Sequence, residues 1–228
     1  MTPAPPRISV DIVSDVMCPW CIIGWLKFEK VMAHFAGRLA FRVQWHPFEL
    51  NPDMPPEGED AAQHVIRKYG ISAEQSRANT GHLARIAANL GFTFNRGPDF
   101  RMRNSFDAHR LLSWAGTLED TDQATATGVQ TALKLALFRA HFTDNRNVAD
   151  PAILVDIAAS VGLDGERAAA ILAGDEFAAM VRDEEAFWID RNITGVPAFI
   201  LDGRLLIPGA QDAEAFIRVI EKKLLVSA

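Results

Sequence analysis

The chain has 228 residues, 49% apolar and 23% charged, and 23 Lys and Arg against 29 Asp and Glu leave a formal net charge of −6. It reads as a soluble globule long enough for one domain with a large insertion or two small ones, and its acidic balance argues against nucleic acid as a partner. No apolar run approaches the roughly 20 residues of a membrane span, and residues 1–7 lack the basic and apolar regions of a signal peptide, so a cytoplasmic location and no membrane partner are expected.

Ile8, Val10, Ile12 and Val13 predict a buried strand over 8–14, and a helix follows over 18–36 with Trp25, Phe28, Val31, Met32 and Phe35 on its apolar side and Gly37 as its stop. Alternation of Leu39, Phe41, Val43 and Trp45 predicts a second strand over 39–46, broken at Pro47 and again at Asn51-Pro52. From about 57 to 192 the pattern is helical: 61–69, 73–90, 105–116, 123–142, 151–161, 165–173 and 176–191, punctuated by Gly70, Gly91, Arg96-Gly97-Pro98, Gly162 and Gly174. Strand signal returns over 196–201 and 204–207, joined by Asp202-Gly203, a strong hairpin cue. A last helix over 211–225 carries Ala215, Phe216, Val219, Ile220 and Leu224 on one side.

The only two cysteines stand together as Cys18-Pro19-Trp20-Cys21, directly after the first strand and at the start of the first helix. Two intervening residues on a first helical turn bring the sulfurs close enough to close a disulfide. Cys18 sits where unpaired N–H groups and the helix dipole favour a thiolate, so its pKa is expected to fall below the free value. Pro19 suits the first helical position, where its missing N–H has no partner to lose. Cys21, one turn in, is the resolving thiol that attacks a mixed disulfide formed at Cys18. Zinc needs further ligands, and neither His34 nor His46 lies in a ligand-like cluster, so no metal is expected. A purely structural bridge over so short a loop would stabilise little. With no cysteine left for other bridges, the composition fits a reducing compartment, where a disulfide is transient and catalytic.

The element order with Cys-x-x-Cys after the first strand resembles a thioredoxin fold interrupted by a helical domain, as in the DsbA family of thiol oxidoreductases. Four blocks resemble its FrnE-type branch: 14–24 around the cysteines, Asn104-Ser105-Phe106-Asp107-Ala108-His109-Arg110-Leu111, Leu137-Phe138-Arg139-Ala140-His141-Phe142, and Gly195-Val196-Pro197-Ala198-Phe199 with Pro208-Gly209-Ala210-Gln211. The resemblance implies an α/β fold in which residues 1–56 and 193–228 form a discontinuous thioredoxin-fold domain and 57–192 a helical insertion. It implies a cis peptide bond before Pro197, uncommon in general, beside the cysteines. The backbone of Val196 would then be free to pair with an extended substrate. Two departures stand out: Ile12 occupies the position where many thioredoxin-like proteins carry a buried acid, and the additional C-terminal cysteine pair of some FrnE-type members is missing.

Asp15, three residues before Cys18, is expected to cap the helix, with assistance to proton transfer as its other role. Trp20 and Met17 are candidates for the thiolate environment and an apolar substrate groove, together with Phe199, although core burial explains such residues equally well. His46 and the following Pro47-Phe48-Glu49-Leu50 are expected to shape the groove edge, His109 to be structural, and Asp183-Glu184-Glu185 to form a solvated helical face. Gln211 and Asp212 open the last helix, whose N-terminus suits an anion or a γ-glutamyl group.

These residues point to a thiol-disulfide oxidoreductase or isomerase that uses the Cys18–Cys21 disulfide and no bound cofactor. Its partners would be thiol- or disulfide-containing proteins or small molecules, with glutathione a possible co-substrate, and its assembly a monomer or homodimer. The alternative is a glutathione-dependent transferase or isomerase resembling the kappa class and 2-hydroxychromene-2-carboxylate isomerase. Those enzymes typically carry serine at the Cys18 position, so a second thiol at Cys21 favours the oxidoreductase. A thioredoxin-like chaperone or binding module is the non-enzymatic class.

Overall fold

The computed structural model describes residues 5–97, 99–119 and 128–222. The first strand, β1 (Arg7–Ser14), pairs in parallel with β2 (Ala40–Pro47), Arg7 opposite Ala40 through Ser14 opposite Pro47. A parallel pair needs a crossover, and α1 (Pro19–His34) supplies it. Strands β3 (Glu59–Asp60) and β4 (Arg101–Met102) form a separate two-residue ladder. Seven helices follow β2 among the described residues: α2 (Ala61–Tyr69), α3 (Ala73–Asn89), α4 (Phe106–Thr117), α5 (Val129–Phe142), α6 (Pro151–Ser160), α7 (Gly165–Ala173) and α8 (Ala178–Ile189). Then β5 (Ala198–Leu201) pairs antiparallel with β1, β6 (Leu205–Pro208) pairs antiparallel with β5, and α9 (Ala213–Ile220) follows, giving the sheet order β2-β1-β5-β6.

The two-residue period of β1 divides its side chains between two cores. Ile8, Val10 and Ile12 join the large cluster under α1, whereas Val13 packs with Trp188, Ile193, Ala198 and Ile200 on the other face. Phe28 of α1 is the hub of the large cluster, with ring centroids 5.6 Å from Phe41, 5.5 Å from Phe199 and 5.4 Å from Phe216. Phe199 is thus core and not groove. β2 is an edge strand, and its backbone would be left unpaired there. The amide of Gln130 on α5 completes it: Oε1 accepts from Trp45 N at 2.9 Å, and Nε2 donates to Trp45 O at 2.9 Å. Trp45 Nε1 donates to Thr131 Oγ1 at 3.0 Å, which fastens the helical segment to the sheet edge.

Most expected elements form within a residue or two of their sequence bounds. The hairpin turns at Asp202 and Gly203, with φ of 49° and 63°, the left-handed pair that a type I′ turn demands. Helix α8 begins at Ala178 and not at 176, because Phe177 is held at φ 63°. The expected helix over 123–142 begins at Val129; residues 123–127 lie outside the described ones, as do 223–225 of the last helix. The acidic run is corrected: of its three residues only Asp183 is exposed, Glu185 is buried beside Arg182, and Glu184 bonds His46. Among the described residues, no helix is long and apolar enough to cross a membrane.

Candidate active site

Both cysteines are free, buried thiols. Cys18 is the N-cap of α1 and makes no side-chain capping bond, Pro19 opens the helix, and Cys21 N donates to Cys18 O at 3.1 Å. Cys18 Sγ lies 3.6 Å from Val196 O, and the Val196–Pro197 peptide is cis, so the loop before β5 stands directly over the sulfur. Gly24 permits this approach. A Cβ there would meet Pro197 Cγ at 3.1 Å and Phe199 at 3.3 Å, closer than ordinary packing allows.

Cys18, Met17, Pro19, Trp20 and Val196 line one cavity of about 570 Å³, closed on its far side by residues of α2, α3 and the loop that follows α3. Trp20 is 39% exposed at its mouth. Cys21 is absent from that lining and sits behind Cys18 in the core. Gln211 and Asp212 also lie outside it: Asp212 Oδ1 pairs with Lys27 Nζ at 2.7 Å, and Gln211 Nε2 donates to Pro208 O at 2.9 Å. His46 is corrected as well, for it lies on the opposite side of the sheet, bonded to Asp11 at 3.0 Å and Glu184 at 3.4 Å and packed on Trp188. From the His46–Leu50 stretch, Leu50 is the residue that reaches the cavity.

Asp15 does not cap α1. It is fully buried, and its carboxylate accepts from Met17 N at 3.0 Å and Leu50 N at 2.7 Å, binding the turn before Cys18 to the segment after β2. Its carboxylate makes no bond to the amides of α1, and its main-chain carbonyl takes the Cys18 N–H, at 3.1 Å. His109, also buried, stands 3.7 Å from Oδ1. Burial opposes ionisation of Asp15, but His109 and the two backbone amides outweigh it and hold the carboxyl below its usual range. Arg110, the neighbour of His109, has a separate task. Its guanidinium bonds Ile171 O, Gly174 O at 2.7 Å and Glu176 O at 2.9 Å, tying α4 to the end of α7.

Lys134 was not foreseen. It projects from α5 into the core under the cysteines, fully buried, with Nζ 3.2 Å from Ser14 O and 5.5 and 5.2 Å from the Trp45 and Phe138 ring centroids. Burial pushes its pKa down to about 8, while Cys21, Asp15 and Cys18 favour its charge. A stripe cue exists, since Gln130, Lys134, Leu137 and His141 recur at helical spacing and all four are buried.

The thiols act as a unit. Burial opposes ionisation of Cys21, but its contact with Cys18, the Ser14 hydroxyl and the Lys134 ammonium outweigh it, and its pKa is lowered. Cys18 is pushed up, by its contact with Cys21 first and then by burial. The lowered pKa expected of Cys18 alone therefore belongs, in the reduced protein, to the coupled pair: the first negative charge is shared by the two sulfurs beside Lys134, and a second is opposed.

Among the described residues, no group of three or more His, Cys, Asp or Glu is arranged to hold a metal.

A mixed four-stranded sheet with a dithiol at the first helix terminus and a cis-proline loop against it defines a thioredoxin-like dithiol protein. The chain belongs to the DSBA-like thioredoxin domain family, which it matches over residues 9–221. It is 24% identical over 230 residues to the uncharacterized protein YwbO of Bacillus subtilis (strain 168), covering 93% of this chain and 96% of that one. The crystal structure of a probable DsbA oxidoreductase, SCO1869 from Streptomyces coelicolor, is 35% identical with a TM-score of 0.83, covering 94% of this chain and 89% of that one. The cytosolic disulfide reductase DsbM from Pseudomonas aeruginosa, solved with GSH, shares the fold at 19% identity and a TM-score of 0.62, covering 95% and 99% of the two chains. The fold is thus the expected one, a DsbA-like thioredoxin fold with a large helical insertion.

Proposed function

We propose that the chain is a cytoplasmic thiol-disulfide oxidoreductase of the FrnE-type branch, in which Cys18 is the nucleophile and Cys21 the resolving thiol. One observation carries the assignment: Cys18 lines the cavity and Cys21 does not. The proton shared by the pair passes from Cys18 to Cys21, presenting a Cys18 thiolate to the cavity. That thiolate attacks one sulfur of a substrate disulfide, forms a mixed disulfide and expels the other sulfur as a thiolate, which takes up a proton. Cys21, losing its proton, attacks Cys18 Sγ, closes the Cys18–Cys21 disulfide and expels the second substrate thiol. Two electrons move from the pair to the substrate; run backwards, the same steps oxidise a dithiol.

The remaining residues have supporting parts. Pro19 sets the start of α1, Asp15 ties the backbone of Met17 to Leu50, and Met17 and Trp20 give the cavity an apolar flank. Pro197 and the backbone of Val196 present a short extended edge to a peptide substrate. Residues 1–56 and 193–228 act as the thioredoxin-fold domain, with 57–192 as the helical insertion closing the cavity. The partners are thiol- or disulfide-bearing proteins or small molecules, glutathione among them, and the assembly is a monomer or homodimer.

Equilibration against glutathione redox buffers, with Cys18→Ser as blank, tests the reading. A reversible two-electron couple between roughly −120 and −270 mV, the span of known dithiol oxidoreductases, is expected. Failure of Cys18 and Cys21 to form a disulfide at any ratio would overturn it. A midpoint near about −180 mV or above makes the protein an oxidant or isomerase, and one near about −270 mV a reductant.

A further inference from the structure

The cavity over Cys18 has an unusual charge balance for this chain. The protein carries a net charge of −6, yet among the described residues no Asp or Glu lines the cavity, whereas Lys68 and Arg96 do. Lys68 is occupied: Nζ donates to Leu50 O at 2.8 Å and Asn51 Oδ1 at 2.7 Å. His64, also in the wall, is bonded to Glu59 at 2.6 Å and Asn51 at 3.0 Å.

Arg96 differs from both. Its guanidinium lies 5.7, 5.0 and 5.8 Å from the ring centroids of Phe94, Phe100 and Phe142, and its buried Nε has no hydrogen-bond partner. Among the described residues it makes no ion pair and no hydrogen bond. The nearby groups that bear on it are His141, buried and neutral with its pKa pushed down to about 3, and Cys18, which favours the cation when it is a thiolate; burial lowers the Arg96 pKa to about 10. Arg96 therefore stays charged at neutral pH.

A guanidinium held on aromatic faces keeps its planar fork free, and that fork matches a carboxylate in two parallel bonds. Leaving the charge half-buried and unpaired costs free energy that an anion arriving in the cavity would recover. The cavity is roomy enough for a small ligand, apolar along Met17, Val65, Leu83 and Met102, and bounded by Cys18.

We infer that this cavity is a binding site for a small disulfide or thiol bearing a carboxylate, with Arg96 the partner of the carboxylate and Cys18 the partner of the sulfur. The inference rests on the dithiol reading above and narrows its substrate to a small anionic molecule. The reaction is the exchange already described: the substrate S–S bond breaks, the Cys18–Cys21 bond forms, and two product thiols leave, one carrying the proton shared by the pair and the other a proton from water.

Three disulfides of similar size test it: 3,3′-dithiodipropionate (anionic), 2-hydroxyethyl disulfide (neutral) and cystamine (cationic). The wild-type protein should prefer them in that order. Arg96→Gln should cut the ratio of kcat/KM for the anionic over the neutral disulfide on the order of tenfold or more, through KM, the size of a lost charge-assisted hydrogen bond. Arg96→Lys, which keeps the charge but not the fork, should fall between the two and gives the same readout if Arg96→Gln does not fold. Equal losses on all three disulfides, or no charge preference in the wild type, would overturn the site. Calorimetry of 3,3′-dithiodipropionate with Cys18→Ser separates binding from chemistry. Binding there that Arg96→Gln abolishes upholds the site even if the wild type proves inert in exchange, an outcome that would sink the dithiol reading alone. No binding to Cys18→Ser refutes the site.

Discussion

The two faces of the sheet treat charge in opposite ways. Behind it, His46 is closed between Asp11 and Glu184, and Arg182 is shared by Glu49 and Glu185. On the cysteine side, Arg96 has no hydrogen-bond or ion-pair partner among the described residues, and Lys134 has one carbonyl hydrogen bond and the thiols for company. The charges behind the sheet complete the fold, while Lys134 and Arg96 on the cysteine side stay available to a sulfur or a ligand. Substitutions behind should therefore register in stability and its pH dependence, and substitutions in front in reactivity.

Asp15 belongs to both categories and should give the largest stability effect. Asp15→Asn leaves one oxygen for two buried amides, so urea melts should show a loss of about 1–3 kcal/mol, the cost of an unsatisfied buried group. An unchanged midpoint would mean that the Met17–Leu50 tie is dispensable. Lys134→Met should separate the two properties. Removing the ammonium raises the pKa of the dithiol, and iodoacetamide labelling near pH 7 should slow about tenfold, the equivalent of one pKa unit, converging with wild type at high pH. An apolar chain in that position should not lower the melting temperature, because the buried cation is costly to desolvate. A labelling profile identical to wild type would remove Lys134 from the site.

His46→Gln tests the closed face. Burial alone would depress the His46 pKa, but its bonds to Asp11 and Glu184 raise it. Its stabilisation is therefore full below the unfolded value of about 6.5 and lost as pH rises through the higher folded value. The variant should lose more melting temperature at pH 5.5 than at pH 8.5 while disulfide exchange continues. Glu49→Gln should have the smallest effect, a gain in stability where His46→Gln gives a loss, with a pH trend in the same direction. Burial raises the Glu49 pKa to about 7 against the pull of Arg182, so wild type loses stability as pH climbs from about 4.3 through 7. The variant should gain more melting temperature over wild type at pH 8 than at pH 5. A pH-independent difference in either protein would mean that these groups titrate alike folded and unfolded.

What was legible in the sequence was whatever local pattern dictates. Period-two alternation marked β1 and β2, Asp202-Gly203 marked the hairpin, and Pro19 with the apolar stripe from Trp25 to Phe35 marked α1. Long-range partners were not legible. Asp15 reads as a cap because a cap is the commonest use of Asp before a helix, and nothing nearby in the sequence signals that Leu50 N, 35 residues on, competes for it. His46 follows an inward-facing Trp45, and the same alternation that predicted the strand places it on the opposite face from Cys18. Arg96 looks like punctuation in a turn with Gly97 and Pro98, and only the packing of Phe94, Phe100 and Phe142 makes it a platform. The β3–β4 ladder is two residues long, too short for any period.

The central claim, that the outer sulfur attacks and the inner one resolves, is tested most directly by intact mass after a neutral disulfide is added to each single-cysteine protein. The account predicts that Cys21→Ser accumulates one stable adduct, mapped to Cys18 and removed by dithiothreitol, while Cys18→Ser stays unmodified over the same time. Faster adduct formation on Cys21 in the Cys18→Ser protein than on Cys18 in the Cys21→Ser protein would contradict it.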